Sequence, residues 1–175
     1  MEVKRTSVYQ HADLTRLLHP ASIAVVGAST RAGSFGERVV VNLQHYGGRV
    51  YPVNARYERI GEQRCYANVA ALPEVPDCVV VTAPREAVEE IVVECASAGV
   101  GGVIVFASGY SETGKADRIA QQQRLAAIAR GGKMRIVGPN CIGVVNAPLD
   151  MRVTFMDITP IPPPTRHAID RKSVV

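Results

Sequence analysis

Several features are scarce in this sequence, and each scarcity excludes something. No apolar run approaches the roughly 20 residues that a membrane-spanning helix needs, so no such helix is expected. The opening residues, MEVKRTSVYQHADL, contain no apolar core of the kind a secretory signal carries, and a cytoplasmic protein is the expectation. The four cysteines (Cys65, Cys78, Cys95, Cys141) are scattered without a C-x-x-C pair, which argues for reduced thiols rather than a disulfide framework. The four histidines (His11, His19, His45, His167) are equally dispersed, so neither set has metal-ligand spacing and no metal is expected. Aromatic residues make up only 5% of the chain, and no lysine or arginine block is interleaved with them, so nucleic acid is not the expected partner. The formal charge of +4 mildly favours an anionic small ligand.

What is present has a clear order. The 175 residues fit one domain with a sizeable core. A short helix is expected at about residues 12–18. SIAVVG (22–27) reads as a buried strand, and SFGERVVVNLQHYGG predicts a helix from about Phe35 to Tyr46. Ser34 and Glu37 form an S-x-x-E capping box at its start, and Gly47 and Gly48 stop it. RVYPVN and DCVVVTAP predict two more strands. Pro84 suits the first position of a second long helix, on which Ala87, Val88, Ile91, Val92, Cys95 and Ala96 share a face before Gly99 ends it. GGVIVFAS is a fourth strand, and the segment KADRIAQQQRLAAIARGG is a helix with Ile119, Leu125, Ile128 and Ala129 as its apolar members. MRIVGPN is the fifth strand. Unbroken valine and isoleucine runs imply strands covered on both faces. The expected fold is therefore α/β, a Rossmann-like doubly wound parallel sheet with helices on both faces. The domain is expected over residues 1–147. Residues 148–175, with Pro160 and the Pro162–Pro164 run, read as a strap or linker.

In such sheets the ligand lies beyond the carboxyl ends of the strands, and here those ends are small and polar. Gly27 allows a tight turn after the first strand, while Gly33 and Gly36 keep side chains away from phosphate and from helix–strand packing. The start of the following helix offers unpaired N–H groups, with Ser29, Thr30, Ser34 and Arg31 nearby. Ser29, however, stands where G-x-G-x-x-G has its second glycine. A dinucleotide site also normally places an acid on the ribose roughly 20 residues further on. The second strand instead ends in Asn54, Arg56 and Arg59, with no acid before Glu58. A phosphorylated ribose would gain a basic partner there, which points to NADP or coenzyme A rather than NAD; solvated arginines are the plainer alternative.

The motifs LLHPASIAVVGAST…GSFG, VYPVNARYERIGEQRCYANVAALPEVPDCVVVTAP, ASGYSETG and VGPNCIGVVN resemble the CoA-binding domain of the NDP-forming acyl-CoA synthetases. That group is similar to the α subunit of succinyl-CoA synthetase, and the resemblance runs from about Leu17 to Asn146. It implies a Rossmann-like domain that holds coenzyme A along the strand ends. Ser29, Arg31, Ser34 and Phe35 would lie by the phosphates and pantetheine, and Val53, Asn54 and Arg56 on the ribose-phosphate side. Thr82, Ala83 and Pro84 would border the adenine. Ser108, Gly109, Tyr110, Asn140 and Cys141 would line the path to the thiol end. Ala55 departs from the proline that usually follows VN in the family.

The resemblance also implies partners. The family makes acyl-CoA from an acid, CoA and a nucleoside triphosphate, through an acyl phosphate and a phosphorylated histidine. The histidine belongs to a later domain and the nucleotide to an ATP-grasp domain. None of the four histidines here lies in the expected motif, and His167 sits in proline-rich surroundings. The chain alone is thus expected to bind CoA or acyl-CoA without completing the reaction. A stand-alone CoA-binding or CoA-sensing protein, such as the regulatory part of a lysine acetyltransferase, is an alternative; an NADP-dependent oxidoreductase is another. Cys141 reads as a small apolar residue at a strand end rather than a reactive thiol. Glu112 could be a base near the thiol, or a loop residue before the last long helix.

Overall fold

The computed structural model describes residues 14–157. The three-proline run, His11 and His167 lie outside these residues, as do residues 12 and 13 of the expected first helix. The chain runs α1 (Thr15–Leu18), β1 (Ser22–Val26), α2 (Phe35–Asn42), β2 (Arg49–Val53), then a small hairpin of β3 (Arg59–Ile60) and β4 (Gln63–Arg64). It continues with β5 (Cys78–Val81), α3 (Arg85–Ala98), β6 (Gly102–Val105), α4 (Ala116–Gly131) and β7 (Arg135–Val137). A second hairpin, β8 (Gly143–Asn146) and β9 (Met151–Thr154), ends the described chain.

Five strands form one parallel sheet in the order β2-β1-β5-β6-β7. The apolar runs explain why it is buried on both sides. Along a strand, side chains alternate between faces, so Val79, Val81, Val103 and Val105 meet Val88, Val92 and Cys95 of α3 and Leu125 and Ala129 of α4. The intervening Ile23, Val25, Cys78, Val80 and Ile104 meet Leu17 of α1, Val39 of α2 and, on the same side, Met151 and Val153 of β9. The expected doubly wound α/β fold is the one observed. Among the described residues no helix is long and apolar enough to cross a membrane.

Some local expectations need correcting. The second helix ends at Asn42 rather than Tyr46, because the chain tightens into turns bonded Gln44 to Val41 and Tyr46 to Leu43, and the Tyr46 hydroxyl is anchored on the carbonyl of Pro20. Pro84 caps α3 instead of opening it, and Gly99 ends that helix in the left-handed region at φ 81°. Ile119 is 37% exposed, so the packing face of α4 is carried by Leu125 and Ala129. Residues 151–154 of the expected strap are a strand instead: β9 pairs antiparallel with β8 and sends Met151 and Val153, both 0% exposed, into the core, and residues 158–175 lie outside the described residues.

Three aromatic rings tie this hairpin to the sheet. Phe155 stacks on Phe35 at 4.1 Å between centroids and meets Phe106 edge-on at 5.1 Å. These are the only three phenylalanines of the sequence. The cluster joins the start of α2, the end of β6 and the end of β9, and so braces the carboxyl edge of the sheet.

Candidate functional site

A cleft of about 1120 Å³ opens at the carboxyl ends of β1, β2, β5 and β6. Its position follows from the topology. From β1 the chain crosses on one face to β2, and from β5 it crosses on the other face to β6, so the connections part between β1 and β5 and leave a crevice there.

The floor is built by close backbone approach. Gly27 has φ 90°, and a Cβ there would stand 2.6 Å from the Thr82 hydroxyl. Its N–H reaches the Val53 carbonyl at 2.9 Å, while the Thr82 hydroxyl donates to the Val26 carbonyl at 3.0 Å. Gly36, the second residue of α2, lies directly on the Gly27 carbonyl, and any methyl at Gly36 would overlap it. The turn after β1 and the first turn of α2 are thereby pressed together.

The loop between them is held from inside. The Ser34 hydroxyl donates to the Arg31 carbonyl at 2.8 Å and accepts from the Glu37 N–H at 3.3 Å. The Glu37 carboxylate reaches back to the N–H of Gly33 at 3.1 Å, one residue beyond a standard capping box, because the Ser34 N–H is taken by Arg31. Ser34 therefore spends its hydroxyl proton on the loop itself. Ser29 accepts from the Arg31 N–H at 3.0 Å and shares a hydrogen bond with the Tyr57 hydroxyl at 3.5 Å. At the start of α2 the N–H groups of Phe35 and Gly36 have no acceptor among the described residues. They supply the partial positive charge of a helix N-terminus.

At the end of β2, Asn54 is a brace. Its amide donates to the Ala28 carbonyl at 2.8 Å and accepts from the Arg56 N–H at 3.0 Å, locking the loop after β1 to the turn after β2. One amide hydrogen and the carbonyl oxygen are engaged with backbone, so Asn54 positions the site. Arg56 and Arg31 are exposed at the rim, and neither pairs with a carboxylate among the described residues. Arg59 turns away to the Glu62 carbonyl and lies outside the cleft. Tyr57 lines it, and the hydrogen bond from Ser29, aided by Thr30 and the nearby Arg56 charge, holds its phenol below the ordinary range.

The structure gathers Gly27, Ser29, Arg31, Gly33, Ser34, Phe35 and Gly36 from the first loop around this cleft. Val53, Asn54 and Arg56, then Thr82, Ala83 and Pro84, and finally Ser108 complete the predicted residues on its walls. Gly109, Tyr110, Asn140 and Cys141 are not part of it. Tyr110 is 0% exposed, its ring packed under α3 and α4 and its hydroxyl 3.5 Å from the Arg85 carbonyl. Burial pushes its phenol up to about 12. Gly109 and Tyr110 both donate their N–H groups to the Glu112 carboxylate, at 2.6 and 3.0 Å. Against desolvation, those N–H groups hold Glu112 below the ordinary carboxylate range, so it clasps the loop as an anion. Asn140 is tied by its N–H to the Ala107 carbonyl at 2.9 Å. The Cys141 thiol donates to the Val105 carbonyl at 3.3 Å, and burial pushes its pKa up, which keeps it protonated and unreactive.

Sequence reading missed the opposite wall. Ala67, Asn68 and Val69 line the cleft, together with Arg85, Ala87, Glu90, Ile91 and Glu94 of α3, and Phe106 and Ala107 at the end of β6. The helical period of α3 did contain a signal: Ala87, Ile91 and Glu94 recur at the spacing of one face. The segment 67–69 carried none, since its place depends on the β3–β4 hairpin folding back under β2.

A crevice at a switch point, floored by a glycine turn and a helix N-terminus and rimmed by arginines without carboxylate partners among the described residues, has the form of an α/β site for a phosphorylated nucleotide-like ligand. The chain matches the family described as CoA binding domain over residues 21–147, and it belongs to that family. Coenzyme A is the ligand that this membership implies. Over 146 residues the chain is 36% identical to the α subunit of an ADP-forming acetate–CoA ligase II of Pyrococcus furiosus, covering 83% of this chain and 32% of that subunit. It is 38% identical over 158 residues to a trans-feruloyl-CoA synthase from an unknown prokaryote, covering 89% and 22%. Among solved structures, the dinucleotide-forming acetyl-coenzyme A synthetase 1 of Candidatus Korarchaeum cryptofilum, in complex with phosphate and ADP, superposes with a TM-score of 0.77. The identity there is 33%, over 81% of this chain and 30% of that one. The chain spans about a third or less of the length of these relatives, which contain further parts.

Proposed function

We propose that the cleft holds coenzyme A with its diphosphate over the Gly27–Gly36 loop and its 3′-phosphate beside Arg56, and that the chain serves as the CoA-binding part of an ADP-forming acyl-CoA synthetase. On this reading the phosphohistidine and ATP-grasp parts, in the same polypeptide or a partner, carry the acyl-phosphate and nucleotide chemistry. The chain's own residues bind and orient CoA. The observation that carries the reading is the end of β2. There a ribose-reading acid is absent from the cleft, Asn54 is spent on backbone, and Arg56 stands at the rim without a carboxylate partner among the described residues. A phosphate ester meeting an unpaired guanidinium is a charge-assisted contact of the stronger kind. The free N–H groups of Phe35 and Gly36 suit the diphosphate in the same way.

Calorimetric titration of the 175-residue chain with CoA, dephospho-CoA, NAD and NADP tests this. CoA is expected to bind, dephospho-CoA to bind about tenfold more weakly, and NAD not at all, since one charge-assisted phosphate contact is worth roughly 1.5–3 kcal/mol. Tight NADP binding with no heat from CoA would overturn the assignment. In the variant Arg56→Ala the gap between CoA and dephospho-CoA should close to within about threefold, because only the 3′-phosphate loses its partner. An equal loss for both ligands would show that Arg56 does not read that phosphate.

A further inference from the structure

Resting on the reading above, we infer that Glu90 is a specificity residue that accepts a hydrogen bond from the exocyclic amine of the ligand's purine. A polyanionic ligand must place its phosphates at the positive end of the cleft, which is the loop after β1, the start of α2, and Arg31 and Arg56. Its base then falls toward the remaining wall. The face of that wall is formed by buried Val69 and half-buried Ala87 and Ile91, with Ala83 and Pro84 at the end of β5, while its polar members Asn68 and Arg85 are engaged, Asn68 by the Ala71 N–H at 2.9 Å and Arg85 by Gln121 at 3.1 Å and by Glu86. A slot of this kind accepts a flat ring, and the ring's exocyclic amine, an N–H donor, then needs an acceptor.

Two carboxylates line the slot, Glu90 and Glu94, both on α3. The other acids of this helix are engaged. Glu86 pairs with Arg85, and Glu89 is held by the Arg124 fork at 3.0 Å. Glu94 accepts the N–H of Ala70 at 2.9 Å and so caps the turn Val69–Ala71. Glu90 alone among the α3 acids has no hydrogen-bond or ion-pair partner among the described residues, and it is exposed to the cleft. A carboxylate accepts and cannot donate. It therefore favours a 6-amino purine and opposes a 6-oxo purine, whose oxygen would face a like partial charge. Placed near a ligand carrying several negative charges, such a carboxylate lowers general affinity, and discrimination is what it supplies in return.

The test compares CoA with its deaminated analogue, in which hypoxanthine replaces adenine, by calorimetry on the whole chain. Wild type is expected to prefer CoA by tenfold or more, since a site that hydrogen-bonds an N–H rejects the analogue lacking it. Glu90→Ala should bring the ratio to about one. Glu90→Gln, whose amide can present either its oxygen or its nitrogen, should also accept both ligands within about threefold. The ratio is unaffected by the general gain in affinity expected when a negative charge is removed. A wild-type ratio near one, or a ratio of ten that persists in Glu90→Ala, overturns the role of Glu90 while CoA binding itself stands. Absence of CoA binding to wild type would bring down both readings.

Discussion

Replacing Gly36 by alanine is expected to reduce CoA affinity at least a hundredfold and to lower stability by about 1–3 kcal/mol, the usual cost of overpacking. The added methyl would meet three backbone atoms, the carbonyl oxygen and carbon of Gly27 and the Cα of Ala28, and none can rotate aside. The start of α2 must then withdraw from the turn after β1, and the N–H groups of Phe35 and Gly36 leave the place proposed for the diphosphate. Gly131 supplies the contrast. It closes α4, a Cβ there would meet nothing within 4 Å, and its φ is not in the left-handed region. Gly131→Ala should leave CoA binding unchanged and raise stability by about 0.5–1 kcal/mol, as removal of a helical glycine ordinarily does. Urea unfolding midpoints and calorimetry on the two variants check both signs. A Gly36→Ala protein with wild-type affinity and midpoint would mean that α2 does not press on the glycine turn.

Ending the chain after Ala147, where the family match stops, is expected to leave the domain largely unfolded, whereas ending it after Asp157 should preserve it. The ten residues between carry β9. Met151 and Val153 are wholly buried beside Ile23, Val25, Val39 and Leu43, and each contributes about 2 kcal/mol by area burial. The amide of Asn42 holds the Thr154 carbonyl at 2.7 Å, and the Phe155 stack adds about 1 kcal/mol. Together these are a large fraction of the roughly 5–15 kcal/mol that stabilises an ordinary domain. Circular dichroism and urea titration of the two shortened chains decide it, and a stable, CoA-binding chain ending at Ala147 would refute it.

The five sheet strands were legible because each is a run of β-branched residues too apolar to face water on either side, and α3 was legible from its period and its Gly99 stop. The two hairpins were not. Each strand of the first has two residues, too few for a period, and the M-R-V-T alternation of β9 is only four residues long beside a proline-rich stretch. The first loop was readable as a tight glycine turn at the cleft because Gly27 and Gly36 answer to backbone geometry that no other residue meets. Tyr110 was misplaced for the opposite reason: a tyrosine between Gly109 and Ser111 has the local signature of a loop residue, and only the packing of α3 against α4 puts its ring in the core.

What the sequence determined by itself is the α/β fold, the glycine turn between β1 and α2, and the basic residue at the end of β2 where a dinucleotide fold has an acid. These are local consequences of side-chain size, branching and charge. Tertiary structure alone decided that Asn54 braces two loops, that Glu112 clasps a turn, and that Met151 and Val153 belong to the core. It also decided that Glu90 lines the cleft without a hydrogen-bond or ion-pair partner among the described residues. Each of these depends on which distant backbone group a side chain meets, and that is set by how the sheet order folds the connections over one another.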